Sequence, residues 1–166
     1  MSTSTPDPAS PAPAPAEAAL RASGLDYRIV RHGRVGSLAE AARVRGVQPS
    51  QIIKTLVVRR AADDFLFVLV PGDREISWPK LRAVLGVTRI SMPDAATARE
   101  ATGYERGTIT PFGAHTAWPV LADERIGPGE VSLGAGEHGA AVVVDAGAML
   151  VALGAQVADI TDPQSS

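Results

Sequence analysis

The predicted fold is built around the strand Ile52-Ile53-Lys54-Thr55-Leu56-Val57-Val58. Its β-branched and apolar residues are typical of a buried strand, yet one charged residue, Lys54, stands in the middle. Burial of an ammonium group is unfavourable unless it reaches a cleft, a partner or a ligand. Lys54 and Lys80 are the only lysines among 16 cationic residues. Two interpretations stay open: Lys54 faces a pocket, or its ammonium group reaches solvent at a strand end.

Further strands and capped helices flank this strand. The apolar run 65–70 follows a polar turn at 60–64, which predicts a β-hairpin with 52–58. Ser37-Leu38-Ala39-Glu40 is a capping box that opens a helix ending at Gly46. We also predict helices at 17–23 and after Ser77, Asp94 and Asp145, and strands at 27–30, 87–92, 120–122, 131–133 and 140–144. Because strands and helices do not alternate regularly, the fold class is α/β of a mixed, α+β-like kind.

Composition limits the class of protein. The 166 residues, of which 45% are hydrophobic, suit one soluble domain with a sizeable core. Residues 1–16 are rich in Pro, Ala and Ser and are predicted to be a disordered tail before a single domain at 17–162. The absence of cysteine excludes a disulfide framework and a thiolate nucleophile. Without a membrane span or a signal peptide in the sequence, we expect a cytoplasmic protein with no membrane partner.

Positive charge is concentrated in one part of the chain. The net charge is only −2, but residues 21–60 contain nine Lys or Arg residues against Asp26 and Glu40. Such a segment could be a surface that contacts RNA phosphates. It could equally be a solvated face in an arginine-rich chain, and the sequence leaves both interpretations open.

The glycine and histidine patterns bear on whether the chain has a dinucleotide site or a metal site. Gly134-x-Gly136-x-x-Gly139 matches the dinucleotide fingerprint in letters, but a strand rather than a helix is predicted to follow, so we expect no dinucleotide. His32, His115 and His138 lack metal-ligand spacing, so we expect no metal and no cofactor. His138 is the histidine best placed to contact a ligand. The irregular segment 103–119 is long enough to predict a functional loop.

Lys54 and the glycine-rich loops therefore form the candidate site. A lysine supplies positive charge to an anionic or carbonyl ligand, and backbone amides in glycine-rich turns can form an oxyanion hole. This combination suits the binding or hydrolysis of a small ester or a phosphate-bearing substrate, with water as the nucleophile.

Three motifs resemble the YbaK-like aminoacyl-tRNA deacylases, free-standing relatives of the editing domain of bacterial prolyl-tRNA synthetases. They are the strand 51–58, the loop Thr102-Gly103-Tyr104-x-x-Gly107-x-x-x-Pro111-Phe112-Gly113, and Gly136-x-x-Gly139. The resemblance covers about residues 20–160. It implies a mixed, partly barrel-like sheet flanked by helices, and hydrolysis of the ester that joins a wrong amino acid to tRNA.

The resemblance also implies roles for individual residues. Lys54 and Gly107 would be catalytic, with the backbone of the loop from Gly107 to Pro111 positioning water. Together with His138, the implied substrate-binding residues are Thr55, Gly103, Tyr104, Thr108, Ile109, Thr110, Pro111, Phe112, Gly113, Gly134, Gly136 and Gly139. The partners implied are the acceptor end of an aminoacyl-tRNA and a prolyl-tRNA synthetase.

Some residues depart from the family pattern. Members that act on cysteinyl-tRNA often carry an acidic residue where this chain has Ala140 and Ala141, and Phe112 stands where Leu is common. The substrate expected is therefore tRNA-Pro carrying alanine, cysteine, serine or another small residue, without a preference for cysteine. Two other hypotheses stay open: a non-catalytic module that binds tRNA or a synthetase, and an ester- or nucleotide-binding protein unrelated to tRNA.

Overall fold

The computed structural model describes residues 14–164. The helices are α1 (Pro15–Ser23), α2 (Leu38–Arg45), α3 (Trp78–Leu85), α4 (Ala95–Thr102) and α5 (Ala146–Ala152). The strands are β1 (Tyr27–Arg31), β2 (Ile53–Ala61), β3 (Asp64–Pro71), β4 (Arg74–Ile76), β5 (Val120–Asp123), β6 (Glu130–Gly134), β7 (Ala140–Asp145), β8 (Gln156–Ala158) and β9 (Thr161–Pro163).

These strands form three sheets. The largest has the order β2-β3-β5-β8, in which β2 and β3 are the predicted antiparallel hairpin and the other pairs are parallel. The order β1-β7-β6 forms an antiparallel sheet, and β4 pairs with β9. The mixed α/β class is confirmed, and among the described residues no sheet closes into a barrel. The first two sheets meet at a single parallel bridge between Ile52 and Ser132.

The central strand β3 is buried on both faces, which explains its uninterrupted apolar sequence. Phe67 and Leu69 belong to the larger core, which includes residues of β6, β7, α1 and α5. Val68 and Val70 belong to the second core, which α3 and Ile160 complete. Because β2 pairs with β3 along its length, it is held firmly on one side, and its other side is the edge of the sheet.

The predicted helix caps are present. The Ser37 hydroxyl accepts a hydrogen bond from the Glu40 backbone N–H at 3.0 Å, while the Glu40 carboxylate accepts one from the Gly36 N–H at 2.9 Å. The Glu40 side chain therefore reaches one residue further than a standard capping box requires. The side chains of Ser77, Asp94 and Asp145 cap α3, α4 and α5 in the same way.

Two expectations about local structure are corrected, and three short strands were not predicted. The first helix begins at Pro15 instead of residue 17, because proline suits the first helical turn and Ala16 is buried; residues 1–13 of the predicted tail lie outside the described residues. The segment 87–92 is not a strand, and only Ser91 forms a bridge, to Arg59. The three-residue strands β4, β8 and β9 had no periodic signal.

No helix within residues 14–164 is both long and apolar enough to cross a membrane.

Candidate active site

A cavity of about 480 Å³ lies beside the free edge of β2. One wall is strand β2 itself, and the opposite walls come from α2, the start of α4 and the loop that follows α4. Five of the predicted site residues line it: Lys54, Thr55, Gly107, Ile109 and Gly134. The structure thus brings the strand lysine, the 107–111 loop and the start of the second glycine loop to one cavity.

The free edge of β2 presents backbone groups to this cavity. At one end Arg59 exchanges two backbone hydrogen bonds with Ser91, at 2.8 and 3.1 Å. Alternate residues of a strand point their N–H and C=O groups to the same side. The backbone groups of Val57 and Thr55 therefore face the cavity, and among the described residues no strand pairs with them there. The cavity has hydrogen-bonding groups available for a ligand.

Lys54 lies at the opposite end of this edge from Arg59. Its Nζ donates a hydrogen bond to the Arg74 carbonyl oxygen at 2.6 Å, which directs the ammonium group toward the turn between β3 and β4. An ammonium group has three N–H donors, and this hydrogen bond uses one of them. Burial lowers the pKa of Lys54, and the nearby carboxylates of Glu75 and Asp73 oppose this shift. Lys54 is therefore a half-buried cation that lines the cavity.

Gly107 lies where the loop approaches the cavity. Its φ of +90° is a conformation that favours glycine, and a Cβ atom built on it would meet no atom within 4 Å. The space around its backbone is therefore open. At Gly134, by contrast, a Cβ atom would lie 3.0 Å from the Ile109 carbonyl oxygen, so the absence of a side chain lets the two loops approach closely.

Several predicted substrate-binding residues support the loops instead of lining the cavity. The buried Tyr104 hydroxyl donates to the Phe112 carbonyl oxygen at 2.6 Å, and burial raises the pKa of Tyr104 to about 12. The Gly136 N–H donates to the Thr108 carbonyl oxygen at 2.9 Å, which joins the two loops. The remaining predicted residues outside the lining are Gly103, Thr110, Pro111, Gly113, His138 and Gly139.

His138 connects the two loops at the surface. Its Nε2 lies 3.1 Å from the Glu105 carboxylate, and both side chains are largely exposed. Its contact with a ligand stays a prediction.

Arg45 is a cavity residue that the sequence analysis did not select. It is partly buried at the end of α2, its Nη1 lies 3.5 Å from the Ser132 hydroxyl, and its Nε is buried without a hydrogen-bond partner. Burial lowers its pKa, and within residues 14–164 it forms no ion pair. Helical periodicity could have identified it, because Arg45 is seven residues after Leu38 and four after Ala41 on the apolar face.

The charged residues of the lining are mostly positive. Arg45, Lys54 and Arg106 contribute cations, and Asp94 is the one acidic residue among the described lining residues. The Asp94 carboxylate accepts a hydrogen bond from the Thr97 N–H at 2.8 Å, and this bond lowers its pKa. The Thr55 hydroxyl adds a buried polar group with no partner. Such a cavity suits a ligand that carries negative charge and hydrogen-bonding groups.

Comparison with known families identifies the domain. The aminoacyl-tRNA editing domain matches residues 32–150, which is more than half of the chain and includes all the cavity-lining loops. The chain belongs to this family. The crystal structure of a candidate trans-editing enzyme for prolyl-tRNA synthetase superimposes with a TM-score of 0.81 and 27% identity over 89% of this chain and 95% of that one.

Curated relatives of this editing domain have several named specificities. The multifunctional Ser/Thr-tRNA deacylase ProXp-y of Escherichia coli is 28% identical over 64% of this chain and 65% of its own length. EbsC of Enterococcus faecalis, a candidate Cys-tRNA(Pro)/Cys-tRNA(Cys) deacylase, is 28% identical over 75% of this chain and 77% of its own. The proline–tRNA ligase of Thermosipho melanesiensis is 32% identical over 61% of this chain. The chain spans less than two thirds of the E. coli deacylase and 18% of that ligase.

Proposed function

We propose that this editing domain is an aminoacyl-tRNA deacylase that acts in trans on tRNA-Pro charged with a small wrong amino acid. The observation that carries the proposal is a cavity, inside the family-matched region, where Lys54 and a free strand edge face the Gly107 loop. The reaction would add water to the ester carbonyl carbon and break its bond to the ribose oxygen. The ribose oxygen takes a proton, so the products are the free amino acid and uncharged tRNA.

The proposed mechanism relies on electrostatic stabilisation and not on a side-chain nucleophile. The Lys54 ammonium group and the backbone N–H group of Thr55 would stabilise the negative charge that develops on the carbonyl oxygen. The open backbone of Gly107 would hold the attacking water. These groups are fixed by β2 and by the loop contacts before the substrate arrives, so little reorganisation is needed during the reaction.

A small amino acid is the proposed target because the wall of the cavity that includes Ile53, Ile109 and Ala98 is apolar, while the unpartnered Thr55 hydroxyl offers one polar contact. Pockets reject larger residues sterically but cannot strongly reject near-isosteres, which is why a separate hydrolase is useful. Prolyl-tRNA synthetase, whose sequences match this domain, is the proposed partner.

The direct test is hydrolysis of tRNA-Pro charged in turn with alanine, serine, threonine, cysteine and proline. We expect the wild-type protein to accelerate release of at least one small amino acid and to spare prolyl-tRNA-Pro, with the rate in buffer as the baseline. Saturable binding of all five tRNAs without acceleration would refute the enzyme and favour the non-catalytic binding module.

Arg45 gives a second test of the site. Replacement of Arg45 by methionine removes a half-buried charge without an ionic partner, so the free energy of unfolding should stay constant or rise. We propose that Arg45 donates a hydrogen bond to an anionic oxygen of the substrate. Binding should therefore weaken in the variant, since such a bond contributes about 1.5–3 kcal/mol. We therefore expect the KM for charged tRNA to rise by at least about tenfold, measured under multiple-turnover conditions.

Arg43 provides the matched control, because it lies on the same helix, is exposed and does not line the cavity. Arg43→Met should leave KM within about twofold of the wild-type value. A loss of stability in Arg45→Met with an unchanged KM would instead assign Arg45 a structural role.

A further inference from the structure

A second cavity, of about 490 Å³, lies at the other end of β2. We call it the arginine groove and define it by four of its lining residues, Arg59, Arg60, Arg82 and Arg89. Its other lining residues are small, hydroxylated or aliphatic, and within residues 14–164 no acidic residue lines it. Four guanidinium groups around one groove generate a local positive potential despite the negative net charge of the chain.

Much of this charge is available to a ligand. Among the described residues Arg82 and Arg89 form no ion pair, while Arg60 pairs with the Asp64 carboxylate at 3.0 Å. Arg59 donates to the Ala61 carbonyl oxygen at 3.3 Å, and its guanidinium lies 5.9 Å from the centre of the Phe65 ring. A guanidinium has five N–H donors in a planar fork that matches phosphate geometry, so each arginine retains donors.

The groove and the candidate active site share one strand edge. The bridge between Arg59 and Ser91 separates them, and the next residues, Met92 to Ala95, form a wall of the active-site cavity. Lys54 and Arg59 are five residues apart on β2, which corresponds to about 16 Å at the rise of a strand. That length is close to five stacked nucleotides at about 3.4 Å each.

The basic segment 21–60 does not act as one surface. Four of its arginines are paired with acidic side chains: Arg21 with Glu17, Arg28 with Glu130, Arg31 with Glu137 and Arg60 with Asp64. Half of the arginine groove, Arg82 and Arg89, comes from outside that segment. The cationic residues that cluster in the folded structure are therefore a different set from those that cluster in the sequence.

From these observations we infer that the arginine groove binds the phosphates of the tRNA acceptor strand a few nucleotides before its 3′ end. This inference rests on the proposed function, which puts the 3′-terminal ester in the cavity beside Lys54. The acceptor strand then follows the edge of β2 from the ester to the groove. Phosphate contacts of this kind supply affinity and position without reading sequence.

The test uses the double variant Arg82→Gln, Arg89→Gln in the full-length chain. We expect its affinity for tRNA-Pro and for an acceptor-stem minihelix, measured by fluorescence anisotropy, to fall by about tenfold or more at low salt. The slope of log affinity against log salt should decrease in magnitude by about 1.4–1.8, because each lost phosphate contact removes about 0.7–0.9. Hydrolysis of an aminoacyl ester of adenosine, which has no upstream phosphate, should not change.

The matched control is Arg43→Gln, Arg99→Gln, which removes two exposed arginines that line neither cavity. An equal loss of affinity in this pair, an unchanged salt slope in the groove variant, or an equal loss on the adenosine ester would each overturn the inference. The outcome is separable from the proposed function. If the wild-type protein hydrolyses charged tRNA and the groove variant binds tRNA normally, only the role of the groove is refuted. If tRNA binds through the groove in a salt-dependent way but is not hydrolysed, only the deacylase activity is refuted.

Discussion

Replacement of Lys54 by methionine should reduce deacylation of the best tRNA substrate by about 100- to 1000-fold, as expected for loss of one preorganised group that stabilises an oxyanion. Methionine keeps much of the length and apolar surface of the side chain, so β2 should still form. The substitution also removes the unfavourable free energy of burying the ammonium group. The free energy of unfolding should therefore change little, and single-turnover hydrolysis should report the loss of chemistry alone.

Lys80 is the matched control, as the second lysine of the chain. It lies on α3 and pairs with Asp159 and Asp162, each at 3.1 Å, and it does not line the cavity. Lys80→Met should retain wild-type activity and lose at most about 1 kcal/mol of stability, since surface ion pairs contribute little. If Lys54→Met remains as active as Lys80→Met, the proposed role of Lys54 is wrong.

The pH dependence distinguishes two alternative roles for Lys54, a positively charged anchor for the substrate and a general base. Burial sets its pKa below the ordinary 10.5, so the group loses its proton at a lower pH than a free lysine. If Lys54 is a positively charged anchor, substrate binding weakens as pH rises through that pKa. If Lys54 is a general base, its activity increases over the same pH range. We expect loss, measured as binding of a non-hydrolysable amide analogue of the charged tRNA, and no such transition in Lys54→Met.

Replacement of Gly136 by alanine should lower both stability and activity. Gly136 has a φ of +82°, and a Cβ atom there would lie 2.6 Å from the Tyr104 ring. Backbone strain of about 1–2 kcal/mol and overpacking of about 1–3 kcal/mol predict a loss of about 2–5 kcal/mol in the free energy of unfolding. Because Gly136 also holds Thr108 by a backbone hydrogen bond, deacylation should fall by at least about tenfold, more than the unfolded fraction accounts for.

Gly154 provides the comparison for this substitution. Its φ is +59°, but a Cβ atom would meet nothing within 4 Å, so Gly154→Ala isolates the backbone strain from the steric contact. We expect a loss of about 1 kcal/mol, from denaturant unfolding curves, and unchanged deacylation. Equal effects of the two substitutions on stability and activity would contradict the role of the contact between Gly136 and Tyr104.

The elements that the sequence predicted well are those with strong local signals. The hairpin of β2 and β3 follows from two apolar runs around a polar turn, and the caps at Ser37, Ser77 and Asp94 lie next to the turns that they stabilise. Each of these signals extends over a few neighbouring residues. The three-residue strands β4, β8 and β9 have no such signal, since they form only where another strand already offers an edge.

The site was predicted less completely, for a physical reason. Resemblance selected residues near the cavity but did not distinguish those that line it, such as Gly107, from those that support the loops behind it, such as Tyr104. The roles proposed for Arg45 and Arg82 depend on tertiary packing. Each arginine becomes part of a site only when distant segments of the chain bury it or place it beside other charged residues. Charge counted along the chain also failed to show that four arginines of the basic segment are paired with Glu17, Asp64, Glu130 and Glu137.

The free edge of β2 has a consequence for solubility. An unpaired strand edge can template the addition of a strand from another molecule, which is a common start of aggregation. Here the opening is short, because Ile52 is bridged to Ser132 at one end and Arg59 to Ser91 at the other. Lys54 adds a charge beside the exposed backbone, and charged side chains, lysine above all, discourage edge-to-edge pairing. The features that make this edge available to a substrate thus also protect it from a second copy of the chain.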